Sequence, residues 1–318
     1  MKSNFSAIYK KKAFLFPYEH ALSEFPFYLD VELTNACNLA CIMCSRQVMR
    51  RRQGFMERRI FERIIDEAGK YGAGIRLVRH GEPFLHKEII PMSRMVKERE
   101  LLLFISTNGL LLDLPACSAI IDARIDEIRF SMQGTDRQGY ERMRRKADYD
   151  LFVRNVKLLR NLRDTQKADL PFISLSSSLT KETASQRQEF KEYWADIVDS
   201  LNIDTTSFAR VEHLEDVRDL LPYETVERVY KPCTEIMTKL SINWNGDITA
   251  CCKDYDGELV IGNIEKMSLR QAWISERLSG LREIVGKKLM HGQINLCKDC
   301  YHLTTKFDVF KEKERSAR

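Results

Sequence analysis

The sequence lacks several features that would place it in a familiar class of proteins. Among its 318 residues there is no apolar run of eighteen or more, which excludes a membrane-spanning helix. The net charge is only +5, too mild to indicate a nucleic-acid partner. The N-terminal segment "MKSNFSAIYKKKAFLFPYEH" has a short apolar run that Pro17 interrupts, and no small-residue cleavage site follows. We therefore predict a cytoplasmic protein that binds neither membrane nor nucleic acid.

The sequence also lacks internal repeats and low-complexity segments. Its hydrophobic content of 44% is typical of globular proteins and is enough for a sizeable core. The length fits one large domain or two of ordinary size.

Cysteine, in contrast, is abundant. An odd count of nine, clustered at short spacings in a chain predicted to be cytoplasmic, favours metal binding over disulfides. One group is near the start and a second near the end: Cys37, Cys41 and Cys44, then Cys233, Cys251, Cys252, Cys297 and Cys300. Cys117 stands alone in an apolar, helix-like segment, where we expect a small buried hydrophobic side chain.

From residue 27 onward, strand-like and helix-like segments alternate six times. The predicted strands cover 27–33, 74–80, 101–106, 125–132, 171–178 and 201–209, and the predicted helices 57–70, 87–100, 115–122, 150–164 and 182–198. This order predicts an α/β fold with a parallel sheet and helices outside it. An incomplete barrel and a doubly wound sheet both fit the pattern.

Four polar motifs follow the first four predicted strands. They are the cysteine loop, "HGEP" (80–83), "TNG" (107–109) and "SMQG" (131–134). Both candidate architectures place their chemistry at the carboxyl ends of the strands. We therefore expect these motifs to meet at one rim.

After about residue 222 the pattern changes. The stretch "KLSINWNGDITACC" (239–252) predicts a hairpin around an Asn-Gly turn, and "SLRQAWISERL" predicts a helix capped by Ser268. We predict an N-terminal arm at 1–26, an α/β domain at 27–222 and a small α+β module at 223–318.

The first cysteine group has no fourth cysteine nearby. Structural zinc sites and ordinary iron–sulfur clusters have four protein ligands. Three thiolates on a four-iron cluster would leave one iron open to a small molecule, whereas a zinc knuckle would need a ligand from elsewhere. The spacing Cys37-Asn-Leu-Ala-Cys41-Ile-Met-Cys44 resembles the signature of the radical S-adenosylmethionine (SAM) superfamily. That resemblance implies a partial (β/α)6 TIM-like barrel and a [4Fe–4S] cluster whose open iron is chelated by SAM.

The resemblance extends to "RHGEPFLH" (79–86), which matches the family's glycine-glycine-glutamate motif with His80 in place of the first glycine. It implies that Gly81 and Glu82 hold the SAM amino group. For His80 itself, contact with substrate or SAM and a hydrogen-bonded loop histidine remain equal alternatives.

Three further SAM contacts are implied by the resemblance. Met43 matches the apolar position that packs on adenine, Ser131 matches a ribose contact, and Arg144 matches an arginine that reaches the SAM carboxylate or ribose. Arg142 and Arg145 are alternatives to Arg144. No catalytic residue is assigned beyond the cluster and SAM.

The second cysteine group resembles the SPASM/twitch extension of some radical SAM enzymes. The resemblance implies that Cys233, Cys251, Cys297 and Cys300 hold an auxiliary [4Fe–4S] cluster, with Cys252 as an alternative to Cys251. No cysteine follows Cys300, which fits the shorter, twitch-type version. Four thiolates would close this cluster and make it an electron conduit, although a structural zinc staple would use the same ligands.

The implied activity is reductive cleavage of SAM to a 5′-deoxyadenosyl radical, which takes a hydrogen atom from the substrate. The cysteine arrangement resembles that of dehydrogenases of aminoglycoside and aminocyclitol biosynthesis. We therefore expect oxidation of a secondary alcohol on a small sugar-like substrate, with the auxiliary cluster accepting an electron and a flavodoxin or ferredoxin supplying one.

Two other functions remain open. The first is peptide modification or epimerisation, although about 26 residues before the first strand are too few for a leader-binding domain. The second is a non-catalytic zinc- or iron–sulfur-binding protein. The arginine-rich stretch 46–59 could steer an anionic partner, but we expect mainly solvated charges there.

Overall fold

The computed structural model describes residues 5, 23–206, 219, 229–230, 233–287, 289–297, 300 and 304–305. Six strands form its central part: β1 (Tyr28–Val31), β2 (Gly74–Leu77), β3 (Leu103–Thr107), β4 (Glu127–Gln133), β5 (Phe172–Leu179) and β6 (Ser200–Thr205). The helices between them are α1 (Arg58–Tyr71), α2 (Ile89–Glu98), α3 (Leu114–Asp122), α4 (Arg137–Met143), α5 (Tyr149–Thr165) and α6 (Ala184–Ala195).

The order of the strands distinguishes the two candidate architectures. Strands β1 to β6 are parallel and neighbour one another in sequence order, with no reversal. A doubly wound sheet reverses its strand order at a switch point, whereas a barrel winds in one direction. The fold is therefore a partial barrel, as predicted.

The C-terminal part continues the same sheet. Strands β8 (Lys239–Ile242) and β9 (Asp247–Thr249) form the predicted hairpin, and β10 (Val260–Asn263) pairs with β9. Strand β8 also pairs in parallel with β1, so the hairpin extends the barrel sheet at its β1 edge. The predicted boundary at 222–223 lies outside the described residues, and β7 (Val229–Tyr230) pairs with β11 (Thr304–Thr305) separately.

The C-terminal helices differ from the prediction at one point. Ser268 caps α8 (Leu269–Trp273) with a capping box, as predicted, but that helix ends at Trp273. Ser275 then caps a second helix, α9 (Glu276–Gly286), because its hydroxyl accepts from the Leu278 amide. The single helix predicted from the sequence is therefore two helices, each capped by its own serine. Short helices α7 (Glu235–Thr238) and α10 (Met290–Gln293) complete the module.

The two faces of the barrel strands have different compositions. Side chains that face the helices are apolar and fully buried, among them Leu29, Ile75, Ile105, Ile128 and Leu175. Alternate residues point into the barrel and include Asp30, Arg76, Ser106, Arg129 and Ser176. The outer face builds the core, and the inner face combines polar and charged side chains with the aromatic rings of Tyr28 and Phe104. Among the described residues, no helix has the length and apolar character needed to cross a bilayer.

Candidate active site

The first cysteine group lies on the loop that follows β1. Cys37, Cys41 and Cys44 are all half-buried, and the Leu39 amide donates to the Cys37 sulfur at 3.4 Å. Cys44 begins a short 3-10 helix, Ser45–Val48. The loop therefore presents three thiols at the carboxyl end of the barrel, where the sequence predicted them.

The loop is fastened to the end of α4. The Ala40 amide donates to the Arg145 carbonyl at 3.0 Å, and the Ile42 amide donates to the Met143 carbonyl at the same distance. These two bonds hold the backbone on either side of Arg144 against the cysteine loop. The position of Arg144 is thus tied to that of the thiols.

Burial and charge act in opposite directions on these thiols. Burial raises the pKa of Cys37, and it raises the pKa of Cys41 to about 11. The guanidinium groups of Arg46 and Arg144 oppose these shifts and favour the thiolates. Because metals bind thiolates, the site must release protons when it takes up a cluster.

The segment "HGEP" lies directly against the cysteine loop. A Cβ on Gly81 would stand 2.1 Å from the Thr34 carbonyl oxygen and 2.7 Å from that of Ala36. The Glu82 amide donates to the same Ala36 carbonyl at 2.9 Å. Only glycine permits this approach, which brings Glu82 to the start of the cysteine loop.

Glu82 is a buried carboxylate, 2% exposed, held by three donors. Its Oε1 accepts from the Phe84 amide at 3.1 Å and from Thr107 Oγ1 at 2.8 Å, and its Oε2 accepts from the Asn108 amide at 2.7 Å. Burial raises the pKa of Glu82, and these hydrogen bonds partly oppose the rise. A buried carboxylate in this state is stabilised further by a cationic partner such as an ammonium group.

The other predicted SAM contacts lie around the same rim. Arg144 is 8% exposed and donates to Gln133 Oε1 at 2.5 Å, and its charge opposes the rise in the pKa of Glu82 and of Cys41 that burial causes. Ser131 is half-buried on β4, with its hydroxyl 3.2 Å from that of Ser106.

The alternatives to Arg144 have different surroundings. Arg142 and Arg145 are exposed, and Arg142 pairs with Asp219 at 2.8 Å. Met43 is half-buried beside Cys44. Of the three arginines in this segment, Arg144 is therefore the one that is buried beside the cysteine loop.

The second cysteine group is assembled from three segments. Cys233 precedes α7, Cys251 and Cys252 follow β9, and the Cys300 amide donates to the Cys297 carbonyl at 3.2 Å in a tight C-terminal turn. Cys233, Cys251, Cys297 and Cys300 pack against the main hydrophobic core.

Cys251 and Cys252 have distinct environments. The Lys253 amide donates to the Cys251 sulfur at 3.3 Å, as the Leu39 amide does to Cys37. Cys252 instead places its sulfur 3.5 Å from Glu235 Oε2. Cys251 therefore packs on the same core as Cys233, Cys297 and Cys300. Its sulfur also accepts a backbone amide, as the sulfur of Cys37 does.

A buried carboxylate shapes the loop after these cysteines. Asp254 is 0% exposed and accepts from Thr249 Oγ1 and from the amides of Gly257, Glu258 and Leu259 at 2.6–2.9 Å. In the part of the chain that the structure describes, no three His, Cys, Asp or Glu side chains surround a single ion. The ligands of a four-iron cluster bind different iron atoms and need not meet around one point.

A second buried carboxylate joins the two cysteine loops. Glu32, 1% exposed, accepts from Arg51 Nη1 at 3.0 Å and Nη2 at 2.8 Å, and from the Trp244 amide at 3.3 Å. Arg79 Nε and His80 Nδ1 lie 3.9 and 3.5 Å from it. Burial alone would raise the pKa of Glu32, but the contacts with His80 and Arg51 and the charge of Arg79 hold it well below its usual range.

The partners of Glu32 reach the auxiliary loop. Arg79 donates to the carbonyls of Asp254 at 2.8 Å and Cys251 at 3.4 Å, and Arg51 Nε donates to the Tyr255 carbonyl at 2.5 Å. The expectation of solvated charges at 46–59 is therefore wrong for Arg51, because a carboxylate buried in β1 draws it inward.

The structure places His80 beside Glu32. Its side chain is 7% exposed and faces Glu32 rather than the cysteine loop. Burial lowers the pKa of His80, and the contact with Glu32 opposes this shift.

A cavity of about 630 Å³ occupies the inside of the barrel. Described residues from β1 to β6 and α7 line it, including Tyr28, Arg76, Arg129, Asp204 and Glu235. Ser176 on β5 also lines it and is the direct neighbour of Ser131 on β4. The cavity therefore borders Ser131 through Ser176, and Thr234, another lining residue, directly follows Cys233 of the second cysteine group.

The sequence profile of the radical SAM superfamily matches residues 31–189, half of the chain. The chain belongs to the radical SAM superfamily. A second profile, that of the SPASM iron–sulfur cluster-binding domain, matches residues 233–301, from the first to the last cysteine of the second group. This radical SAM enzyme therefore uses SAM and a [4Fe–4S] cluster, with an auxiliary cluster in its SPASM module.

Two relatives share between a quarter and a third of their residues with this chain over the matched regions. The chain is 26% identical to the tungsten-containing aldehyde ferredoxin oxidoreductase cofactor-modifying protein of Pyrococcus furiosus, over 86% of each chain. It is 33% identical to the PqqA peptide cyclase of Granulibacter bethesdensis over 37% of this chain and 32% of that one.

Two solved structures share the fold. BtrN in complex with AdoMet and 2-DOIA superposes with a TM-score of 0.57 at 16% identity, over 89% of this chain and 98% of BtrN. SuiB of Streptococcus suis bound to S-adenosylmethionine gives a TM-score of 0.67 at 18% identity, over 93% of this chain and 76% of SuiB.

The donors present fit the implied cofactors. Three half-buried thiols on one loop, with Glu82 and Arg144 beside them, provide thiolates for a cluster and opposite charges for the two ends of an amino acid. Thr107 and Asn108 appear in the sequence only as part of the "TNG" motif, yet both donate to Glu82, and no sequence pattern marks Glu32 or Arg51. The alternation of polar residues along β1 to β5 was the signal that could have found the cavity.

Proposed function

We propose that this radical SAM enzyme oxidises a secondary alcohol of a small, sugar-like molecule. The observation that carries the proposal is the polar cavity between the candidate SAM rim and the auxiliary module. Hydroxyl, amide, carboxylate and guanidinium groups line it, among them Ser176, Asn202, Asp204 and Glu235. Such a lining suits a molecule with many hydroxyl groups better than an apolar one.

When bound, SAM and its cluster would supply a radical able to remove one hydrogen atom from the C–H of the alcohol, and the auxiliary cluster would provide an acceptor for the second electron as the O–H proton is lost. The protein's own task is to position the reactants. Glu82 and Arg144 would hold the two ends of the SAM amino acid, Met43 would pack on its adenine and Ser131 would contact its ribose. Cys233, Cys251, Cys297 and Cys300 would hold the auxiliary cluster below the cavity.

The Glu32 network joins the segment that carries Glu82 to the loop of the second cysteine group. Arg79 belongs to the segment that carries Glu82, and it also donates to the carbonyls of Cys251 and Asp254. A substrate held between the two loops would therefore meet a geometry that varies little, which favours a single reacting C–H bond.

Isotope transfer provides the test. Cluster-loaded enzyme, reductant and SAM are mixed with polyhydroxylated alcohols that carry deuterium on the carbinol carbon. We expect deuterium in 5′-deoxyadenosine and one ketone for each SAM consumed. In Cys300→Ala, SAM cleavage should persist without ketone formation. A normal ketone yield from that variant would contradict the role of the auxiliary cluster.

A second candidate is modification of a peptide or epimerisation. The named similarity to a PqqA peptide cyclase favours a peptide substrate, whereas the similarity to a cofactor-modifying protein over 86% of the chain favours a smaller one. Deuterium transfer from labelled peptides but from no alcohol would make the peptide function the better account.

A further inference from the structure

The floor of the barrel cavity contains two arginines stacked on one aromatic ring. The guanidinium carbon of Arg76 lies 5.3 Å from the Phe104 ring centroid and 4.9 Å from that of Tyr28, and the guanidinium carbon of Arg129 lies 4.7 Å from Phe104. Phe5 closes this layer, with its ring 5.7 Å from Phe104. Both arginines line the cavity.

Arg76 has hydrogen-bonding capacity that the protein does not use. It forms an ion pair with Asp30 at 3.2 Å, but the two groups are not aligned as a hydrogen bond. Within the described ranges, the buried Nε of the Arg76 guanidinium has no hydrogen-bond acceptor. Asp30 is also shared, because Lys239 Nζ lies 3.0 Å from its other oxygen.

Arg129 is held differently. Its Nη2 donates to Glu127 at 3.2 Å and its Nε lies 3.5 Å from Ser174 Oγ. Both guanidinium groups lie on the Phe104 ring, so the two cations are close. Burial lowers the pKa of Arg129, the charge of Glu127 opposes this shift, and the charge of Arg76 adds to it. An anion between them would relieve the repulsion between the two arginines and would accept from Arg76 Nε.

The distance between Arg129 and Ser131 indicates how long a molecule bound between them would be. Arg129 and Ser131 are two residues apart on the same face of β4, a separation of about 7 Å along the strand. Ser131 is the candidate ribose contact. A group bound at Arg129 would therefore lie roughly one sugar ring deeper than the region where the hydrogen atom is taken.

We propose that the substrate carries an oxyanion, a carboxylate or a phosphate, and that Arg76 binds it with support from Arg129. Asp204 and Glu235 also line the cavity, where they would face hydroxyl or amino groups of the molecule, and Glu235 is already paired with Lys239. The proposal deepens the proposed function, since it names a class within the sugar-like substrates. Its binding step can be measured without turnover.

The test compares three probes of one shape: glucose 6-phosphate, glucuronate and glucose. Calorimetry on the cluster-loaded enzyme with SAM measures their dissociation constants. We expect at least one charged probe to bind about 10-fold more tightly than glucose, a difference near 1.4 kcal/mol. The tighter of the two charged probes identifies the oxyanion, and added salt should weaken the charged probes alone.

Variants then assign the effect to Arg76. Arg76→Gln should weaken the charged probes about 10-fold and leave glucose unchanged. Arg76→Lys, which keeps the charge but loses the planar fork, should lie between them. Arg154→Gln, an exposed arginine on the outside of α5, is the matched control and should have no effect.

Equal binding of the three probes, or an equal loss for glucose in Arg76→Gln, would overturn the oxyanion site. Neither result depends on catalysis. If the probes bind as expected but no alcohol is ever oxidised, the proposed oxidation is wrong while the oxyanion site stands.

Discussion

The two cysteine groups of this protein are built in opposite ways. The first lies on a single loop between β1 and α1, and all three of its cysteines fall within eight residues. The second gathers thiols from before α7, from after β9 and from the C-terminal turn. The three thiols of the first group are close together because they are close in sequence. The thiols of the second group come together only when the C-terminal module folds.

Their surroundings differ in charge as well. Arg46 and Arg144 favour the thiolates of Cys37 and Cys41. Near the second group, burial raises the pKa of Cys233 to about 11 and the charge of Glu235 adds to the rise. Cations beside the first group suit a site that must also accept the carboxylate of SAM, whereas the second group needs no such partner.

The largest effect is expected when one cysteine of the first group is replaced. Cys44→Ala should reduce SAM cleavage more than about 100-fold, because it removes a ligand of the cluster. Residues that only hydrogen-bond to metal ligands typically cost about 10- to 100-fold when mutated. The iron of the auxiliary cluster should remain. Release of 5′-deoxyadenosine and bound iron measure the two quantities. Cys117→Ala, a buried thiol in α3, is the control, and equal activity of the two variants would contradict the assignment.

A second prediction sharpens the comparison inside the auxiliary module. Cys251→Ala should lower bound iron from about eight to about four per chain, whereas Cys252→Ala should leave it near eight. The reason is that Cys251 packs on the core with the other three cysteines, while Cys252 faces Glu235. The reverse pattern would show that Cys252 is the ligand.

A third prediction concerns the carboxylate beside the first group. Glu82→Gln should weaken SAM binding about 10- to 100-fold, since a charged hydrogen bond contributes roughly 1.5–3 kcal/mol. Equilibrium binding of SAM to the cluster-loaded protein measures it. Glu88→Gln removes a carboxylate whose side chain is 44% exposed and should have no effect. Unchanged SAM affinity in Glu82→Gln would remove Glu82 from the site.

The smallest effect tests how the rim is packed. Gly81→Ala should lower the free energy of unfolding by about 1–3 kcal/mol, because its Cβ would overlap the Thr34 carbonyl. Gly69→Ala, in the last turn of α1 with open space around it, should raise the free energy of unfolding by about 0.5–1 kcal/mol. Urea unfolding measures both. A neutral Gly81→Ala would mean that the two loops can separate.

Features formed by residues close together in the sequence could be predicted, whereas those formed by distant residues could not. The six barrel strands, the hairpin and the cysteine loop could be predicted because periodicity, the Asn-Gly turn and the Cys37–Cys44 spacing are local patterns. The choice between Cys251 and Cys252 could not, because it depends on which thiol meets the core after the module folds.

Buried charges were the other gap. Arg51 looks like one of several solvated arginines in the sequence, and only the fold brings it to Glu32, nineteen residues away. Arg76 and Asp30 likewise read as ordinary strand residues until register places them side by side. Pairs of this kind depend on strand neighbours, which a single sequence does not specify.

The most direct test of the two-site account is iron and acid-labile sulfide on anaerobically reconstituted protein. The wild type is compared with the triple Cys37/Cys41/Cys44→Ala variant. The account predicts about eight irons per chain, falling to about four in the variant, for one open and one closed four-iron cluster. About four irons in the wild type, falling to nearly none in the variant, would contradict it, because the second cysteine group would then hold no iron–sulfur cluster.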